Sequence, residues 1–110
     1  MTRNRILIVD DSEVTRAALT SRLTEGGASV VCAGSAADAL ALDVDEVSAA
    51  IVDVDLGHGD DGVSLADALL GKNPRLRLAL FTAQATPSLA RTTFKKPDEV
   101  DRVVAWALRG

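Results

Sequence analysis

The chain has 110 residues, of which 47% are hydrophobic and 25% are charged, and this balance predicts one globular domain covering residues 1–110. The formal net charge is −4 and the basic residues are scattered, which argues against nucleic acid as a direct partner. The longest apolar stretches fall far below the roughly 20 residues of a membrane span, so no membrane segment is expected.

A single cysteine, Cys32, excludes an internal disulfide and agrees with a reducing compartment. Because free cysteines are usually buried, we expect Cys32 to be a buried strand residue. The first residues lead directly into a strand pattern rather than a signal sequence. Together these features predict a cytoplasmic protein.

Apolar runs of strand length alternate with helical patterns, which predicts an α/β fold with a parallel sheet. The first strand is predicted at residues 6–9. Asp10 and Asp11 follow it and can cap a helix over residues 12–25, which two glycines end. A second strand is predicted at residues 29–33.

The middle of the chain continues the alternation. Ser35 and Asp38 have the spacing of a capping box for a short helix through Leu42. A third strand is predicted at residues 47–54. The third helix is expected to begin near Gly62 and to end at a cluster of glycine, asparagine and proline.

The connection between the fourth and fifth strands, predicted at residues 78–81 and 92–94, is unusually short. Only residues 83–91 separate them, and Pro87 is among these. A parallel crossover usually needs about 10–12 residues or more including its helix. We therefore expect helix four to be truncated or missing, with a short helical turn at residues 87–90.

The last helix is predicted to open at Pro97 and Asp98. Its apolar residues recur with the period of one buried helix face and are Val100, Val103, Val104, Ala107 and Leu108. Trp106 lies off this stripe, so we expect it to be partly exposed, either as a partner contact or on the flank of the core.

The polar residues that follow four of the predicted strands are, in chain order, Asp10, Asp11, Asp53, Thr82 and Lys96. The carboxyl ends of parallel strands form the ligand-binding edge of an open α/β sheet. An Asp pair alone would fit a helix cap equally well. The full order instead predicts one phosphate-and-metal site.

Three converging carboxylates repel one another unless a cation offsets their charge. Oxygen ligands suit Mg²⁺ better than zinc, for which one cysteine and one histidine are poor material. Asp53 can then act as an aspartyl nucleophile. Thr82 can donate its hydroxyl to a phosphoryl oxygen, and Lys96 can supply positive charge.

In this order and context the residues resemble a response-regulator receiver domain of bacterial two-component signalling, over essentially the whole chain. The resemblance implies a flavodoxin-like, doubly wound sheet of five parallel strands in the order 2-1-3-4-5. It implies Mg²⁺-dependent phosphorylation on Asp53 and signalling to a partner by conformational change. The chain is therefore not expected to be an enzyme beyond accepting a phosphoryl group and losing it slowly to water.

The resemblance also implies a role for each metal ligand. Asp11 would ligate Mg²⁺ directly and Asp10 largely through water. Asp53 would contribute its carboxylate, and Asp55 would contribute its backbone carbonyl.

The remaining site residues match the phosphoryl-binding positions of the family. Thr82 matches the switch hydroxyl and Ala83 the small residue whose amide meets the phosphoryl group. Lys96 matches the lysine before a proline, and by analogy the Lys96–Pro97 bond is cis.

Some positions depart from the family pattern. Gly57 stands where many receivers have proline, and the loop at residues 57–62 is one residue longer than the commonest form. His58 in this loop is expected to be an exposed turn residue. Thr93 replaces the usual switching aromatic, and Phe94 points to the other side of the strand.

The expected partners are a histidine kinase or histidine phosphotransfer protein and a downstream protein. We expect the donor to dock on the face of the first helix formed by Val14, Ala17 and Ala18. Because the chain ends just past its last helix, a single-domain regulator is favoured over a fragment of a longer protein. A homodimer is left open.

Two other functions compete with the receiver. Asp53, Val54 and Asp55 resemble the opening motif of haloacid-dehalogenase-type phosphatases, although the motif lies on the third strand of a short chain. The other alternative is a receiver-like scaffold that works without phosphorylation, suggested by the shortened helix four.

Overall fold

A computed structural model describes residues 4–57, 61–83 and 92–109. Its elements in chain order are β1 (Arg5–Val9), α1 (Glu13–Glu25), β2 (Ser29–Ala33), α2 (Ala36–Leu40), β3 (Ala49–Val52), α3 (Gly62–Lys72), β4 (Arg77–Thr82), β5 (Thr93–Lys95) and α4 (Val100–Leu108). The five strands pair in parallel in the order β2-β1-β3-β4-β5. This confirms the predicted flavodoxin-like sheet.

The truncation predicted for helix four concerns residues 87–90, which lie outside the described residues. The four described helices cover both faces of the sheet. Successive strand residues point to opposite faces, so β1 sends Leu7 and Val9 to one face and Ile6 and Ile8 to the other. The first face packs against α2 and α3, and the second against α1 and α4.

The start of α1 differs from the prediction. The helix is capped by Ser12, whose side chain accepts a hydrogen bond from the amide of Thr15 at 3.3 Å. Asp10 instead accepts from the Ser12 amide at 2.9 Å. A Ser hydroxyl is as good a cap as an Asp carboxylate, so neither residue of the acidic pair is needed as the cap.

The cap of α2 is the predicted one, because Ser35 accepts from the Asp38 amide at 3.1 Å, although the helix ends at Leu40. Helix α4 begins at Val100 rather than at the predicted Pro97.

The apolar stripe of α4 is buried or partly buried as predicted. Trp106 is half-buried beside it and packs against Phe94, with ring centroids 6.2 Å apart. The structure therefore places Trp106 on the flank of the core, and a partner contact through its exposed part stays a prediction.

The expected burial of Cys32 is wrong, because its side chain is exposed. β2 is the edge strand of the sheet, and the Cys32 thiol lies 3.4 Å from the Thr20 hydroxyl on α1. An edge strand has a neighbour on one side alone, which leaves this position open to solvent. No described helix is long and apolar enough to cross a membrane.

Candidate functional site

The predicted site residues meet at the carboxyl end of the sheet. Asp10 and Asp53 directly follow β1 and β3, Thr82 ends β4, and Lys96 directly follows β5. The strand pairing continues through three of them. The amide of Asp10 donates to Ala33 at 3.1 Å, that of Asp53 to Val9 at 2.9 Å and that of Lys96 to Thr82 at 2.9 Å. The backbone of the site is therefore as rigid as the sheet itself.

Three carboxylates form a compact cluster at this edge. Oxygen atoms of Asp10, Asp11 and Asp53 all lie within 4.8 Å of one another. Asp10 is 2% exposed and Asp53 is 7% exposed, whereas Asp11 is exposed to solvent. Like charges this close destabilise one another unless cations balance them.

Lys96 supplies part of that balance. Its ammonium group donates to Asp10 Oδ2 at 2.5 Å and to Asp53 Oδ2 at 3.1 Å. The same nitrogen lies 5.6 Å from the centre of the Phe81 ring. One ammonium group thus bridges the two buried carboxylates. The Asp11 side chain faces solvent and makes no bond to Lys96.

The shifted pKa values follow from burial and from these charges. Burial raises the pKa of Asp53, and the charge of Asp10 adds to this, while Lys96 offsets only part of the increase. Burial alone would lower the pKa of Lys96, but its bonds to Asp10 and Asp53 outweigh burial and raise that pKa. Lys96 therefore stays charged at neutral pH.

An open pocket lies over the cluster. Its lining residues come from the ends of β3, β4 and β5 and from the loop after β1, and they are Asp11, Asp53, Asp55, Thr82, Ala83 and Lys96. Thr82 is buried beneath the pocket and Ala83 is exposed at its rim. The structure thus brings every predicted site residue except Asp10 to the wall of one pocket. Asp10 is buried and is connected to the pocket by its bond to Lys96.

Consecutive turns shape the loop after β3. The Asp55 amide donates to Asp53 Oδ1 at 3.2 Å, and the Gly57 amide donates to Asp55 Oδ1 at 3.2 Å. Gly57 has a φ of +71°, which proline cannot adopt, so this loop cannot follow the backbone of receivers with proline there. His58 lies outside the described residues. Asp61 caps α3 by accepting from the Val63 amide at 2.9 Å.

The donor set fits a hard divalent cation. The available ligand atoms are carboxylate and carbonyl oxygens, which Mg²⁺ prefers, and no described thiol or imidazole joins the cluster. The Asp10 carboxylate is already held by Ser12 and Lys96. Asp11 has its carboxylate exposed, which suits a direct ligand.

Sequence reasoning placed the start of α3 near Gly62 but missed how closely this residue approaches Asp53. A Cβ atom added at Gly62 would lie 1.9 Å from the carbonyl oxygen of Asp53. The only signal in the sequence is a glycine at the start of a predicted helix. A glycine there is more often explained by the backbone conformation of the preceding turn.

Comparisons with known proteins agree with this geometry. Residues 6–100 match the family described as the response regulator receiver domain. The chain is 35% identical over 103 residues to the sensor protein TorS of Escherichia coli, covering 84% of this chain and 11% of TorS. The chain thus spans about a ninth of that relative.

Solved structures share the fold. A response regulator from Burkholderia pseudomallei with a phosphorylated aspartic acid, calcium ion and citrate is 28% identical, with a TM-score of 0.83, covering 93% of this chain and 65% of that chain. The response regulator TrrA from Thermotoga maritima, in complex with Mg²⁺-BeF, is 25% identical with a TM-score of 0.80, covering 94% and 98%. Chemotaxis protein CheY4 from Vibrio cholerae is 20% identical with a TM-score of 0.83, covering 98% of both chains, and shows the fold. The chain belongs to the response regulator receiver domain family.

Proposed function

We propose that this chain accepts a phosphoryl group on Asp53, in a Mg²⁺-dependent reaction, from a histidine kinase or histidine phosphotransfer protein. The observation that carries the proposal is the buried Asp53 carboxylate, which faces both Lys96 and the acidic pair. The similar Burkholderia regulator with a phosphorylated aspartic acid supports the same chemistry here.

The chemistry is a displacement at phosphorus. A carboxylate oxygen of Asp53 forms the new bond to phosphorus while the bond between phosphorus and the donor's imidazole nitrogen breaks, and that nitrogen keeps the electron pair. Hydrolysis later returns the carboxylate and releases inorganic phosphate. Burial makes ionised Asp53 costly, and the fixed Asp55 amide and Lys96 keep it oriented toward the pocket.

The surrounding groups would bind the charge that arrives on the phosphoryl oxygens. Lys96 already lies 3.1 Å from Asp53 and needs little movement to pair with a phosphoryl oxygen. Thr82 and Ala83 line the same pocket, and the Thr82 hydroxyl and the Ala83 amide would supply donors. Mg²⁺ bound by the carboxylates of Asp11 and Asp53 and the Asp55 carbonyl, with Asp10 through water, would neutralise the remaining negative charge.

The donor protein would dock beside this pocket. Val14 on α1 is 80% exposed, although it is a large hydrophobic residue, and Ala17 and Ala18 are exposed next to it. An open groove runs from Val14 and Ala18 to Pro97, and Lys96 lines both this groove and the acidic pocket. A partner seated on this surface could present a phosphohistidine directly to Asp53.

The two competing functions have less support. A haloacid-dehalogenase-type phosphatase would need Asp55 as an acid and base in the pocket, whereas the Asp55 carboxylate accepts a bond from Gly57 in its own turn. A scaffold that had lost phosphorylation would not need three carboxylates within 4.8 Å of one another and a lysine bonded to two of them. Their presence together favours a working receiver.

The test is intact-mass spectrometry after incubation with Mg²⁺ and acetyl phosphate. We expect wild type to gain one phosphoryl group, Asp53→Asn to gain none, and the control Asp55→Asn to keep the gain. Repeated release of phosphate from a monoester would instead favour the phosphatase. No gain from acetyl phosphate or from a phosphorylated histidine protein would favour the scaffold.

A further inference from the structure

Arg16 makes a contact with the acidic pair that the proposed reaction does not use. It lies one turn into α1, and its Nη1 donates a hydrogen bond of 2.6 Å to the backbone carbonyl of Asp10. The side chain is half-buried. The guanidinium is a cation, so this is a charge-assisted bond to a neutral acceptor.

This bond completes the anchoring of Asp10. Its amide donates to Ala33 at 3.1 Å, and its carboxylate accepts from the Ser12 amide at 2.9 Å and from Lys96 at 2.5 Å. Its carbonyl is the remaining hydrogen-bonding group, and Arg16 holds it. All the hydrogen-bonding groups of Asp10 are therefore partnered, by residues from β2, from the start of α1 and from the end of β5.

The carbonyl that Arg16 holds belongs to the peptide joining Asp10 to Asp11. Rotation about the Cα–C bond of Asp10 would turn this carbonyl and swing Asp11, whose side chain is exposed to solvent. By holding the carbonyl, Arg16 sets the direction in which Asp11 projects relative to Asp53. Metal affinity depends on such outer contacts, whose loss typically weakens it 10–100-fold.

The guanidinium has room because of a glycine. A Cβ atom added at Gly34, just after β2, would lie 3.2 Å from Nη1 and 3.7 Å from Cζ of Arg16. The side chain of Arg16 therefore lies directly against the backbone at Gly34, so its position is bounded by the Asp10 carbonyl on one side and this backbone on the other.

We infer that Arg16 is a positioning residue for the metal site, which holds the Asp10–Asp11 peptide in the orientation that binds Mg²⁺. The inference rests on the proposed function, because it assigns Arg16 a task in that same site. Arg16 does not line the acidic pocket, so its effect would pass through Asp10 and Asp11.

Electrostatics and positioning predict opposite signs for the loss of Arg16. A positive guanidinium near a cation site repels the cation, so removing the charge alone would tighten Mg²⁺ binding. Losing the orientation of Asp11 would weaken it. The direction of the change in affinity therefore distinguishes a positioning role from a simple charge effect.

The experiment is calorimetric titration with Mg²⁺ of wild type, Arg16→Met, Arg16→Lys and Arg22→Met. Arg22→Met is the matched control, since Arg22 lies on the same helix and pairs with Asp101 on the surface. We expect Arg16→Met to weaken Mg²⁺ binding, raising the dissociation constant by about tenfold. Arg16→Lys, which keeps a donor, should recover part of the loss, and Arg22→Met should leave the constant within about twofold of wild type.

Thermal unfolding in Mg²⁺-free buffer separates positioning from a structural role. The midpoint of Arg16→Met should match that of Arg22→Met, while their Mg²⁺ affinities differ. Unchanged or tighter Mg²⁺ binding by Arg16→Met, in a wild type that binds Mg²⁺, would overturn this inference and leave the proposed function standing. A wild type that binds no Mg²⁺ would overturn both.

Discussion

Gly62 shows how closely the site depends on a residue that has no side chain. It begins α3, and its amide donates to the Val54 carbonyl at 2.9 Å. The position of an added Cβ would be 1.9 Å from the carbonyl oxygen of Asp53 and 2.8 Å from Cα of Val54. These are backbone atoms of the segment that carries the proposed phosphoacceptor, so no side-chain rotation can relieve the clash.

We predict that Gly62→Ala lowers the free energy of unfolding by about 3 kcal/mol or more, because α3 must move away from β3. Gly71→Ala is the matched control, since Gly71 lies in the same helix with nothing within 4 Å of an added Cβ. That change should raise stability by about 0.5–1 kcal/mol. Urea unfolding followed by circular dichroism measures both, and equal stabilities for the two variants would contradict the close approach.

Residues with a chemical reason to follow an apolar run could be predicted from the sequence. Asp10, Asp53 and Lys96 are of this kind, since strand ends in a parallel sheet must meet at one edge. Cys32 was mispredicted because its burial was inferred from the general tendency of free cysteine, whereas the strand order that the resemblance implied places β2 at an edge. The close approach of Gly62 to Asp53 was missed because it comes from packing against the segment after β3, which no local pattern shows.

At the scale of elements, the end of α4 is held by side chains near the starts of β1 and β4. Asn4, just before β1, donates to the Leu108 carbonyl at 3.3 Å, and Arg77 at the start of β4 donates to the Trp106 carbonyl at 2.5 Å. The Arg77 guanidinium also lies 4.5 Å from the centre of the Trp106 ring. Positive charge at a helix C-terminus is stabilising, so Arg77 acts on α4 as cap, charge and stacking partner.

We predict that Arg77→Met lowers the free energy of unfolding by about 1–2 kcal/mol, through loss of the ring contact and the bond to Trp106. The loss is limited because Arg77 Nη1 is buried without a hydrogen-bond partner in the described part of the chain. Trp106, the one tryptophan of the chain, reports the change by fluorescence.

Arg102→Met is the control for Arg77→Met. Arg102 is exposed, and its ion pair is local, with Glu99 three residues earlier in the chain. It should change stability by less than about 0.5 kcal/mol. If both variants lost the same stability and left the Trp106 emission unchanged, the proposed hold on α4 would be wrong.

The ends of elements were harder to predict than their existence. The third strand was predicted at residues 47–54 but is Ala49–Val52. Val47 is buried and Val54 partly buried in the core, without continuing the strand pairing. The last helix begins at Val100 because Pro97 and Asp98 lie in a turn in which the Glu99 amide donates to Lys95 at 2.8 Å. Apolar residues are buried both inside an element and in the segments that flank it, so the sequence pattern alone does not locate the ends of an element.

For the whole molecule, the site opposes the stability of the fold. Folding raises the pKa of Asp53 above its ordinary value of 3.8, mainly by burial, so the folded state binds this proton more tightly than the unfolded chain. Below 3.8 the carboxyl is protonated in both states and the opposition vanishes. As the pH rises through the folded-state pKa, ionised Asp53 lowers the free energy of unfolding, and the loss is complete above that pKa.

We therefore predict that Asp53→Asn is more stable than wild type at neutral pH in Mg²⁺-free buffer, and that the difference shrinks as the pH falls to about 4. Lys96 does not alter this window, because its raised pKa keeps it charged until well above neutral pH. Urea unfolding at several pH values measures the difference. Asp55→Asn, at an exposed carboxylate, should give a smaller gain.

A difference between Asp53→Asn and wild type that grew as the pH fell would contradict the raised pKa of Asp53. A destabilised Asp53→Asn at neutral pH would show instead that the bond to Lys96 outweighs the burial of the carboxylate. Either result would require a different assignment of the charges at the sheet edge.

The most direct test of the central claim is to locate the phosphoryl group within the chain. The protein would be phosphorylated by a phosphohistidine donor in the presence of Mg²⁺, cleaved, and the peptide spanning β3 sequenced by tandem mass spectrometry. We predict that the phosphoryl group is found on Asp53 and that it is absent when Mg²⁺ is removed. A phosphoryl group on Asp55, or on any residue outside the pocket, would contradict the assignment.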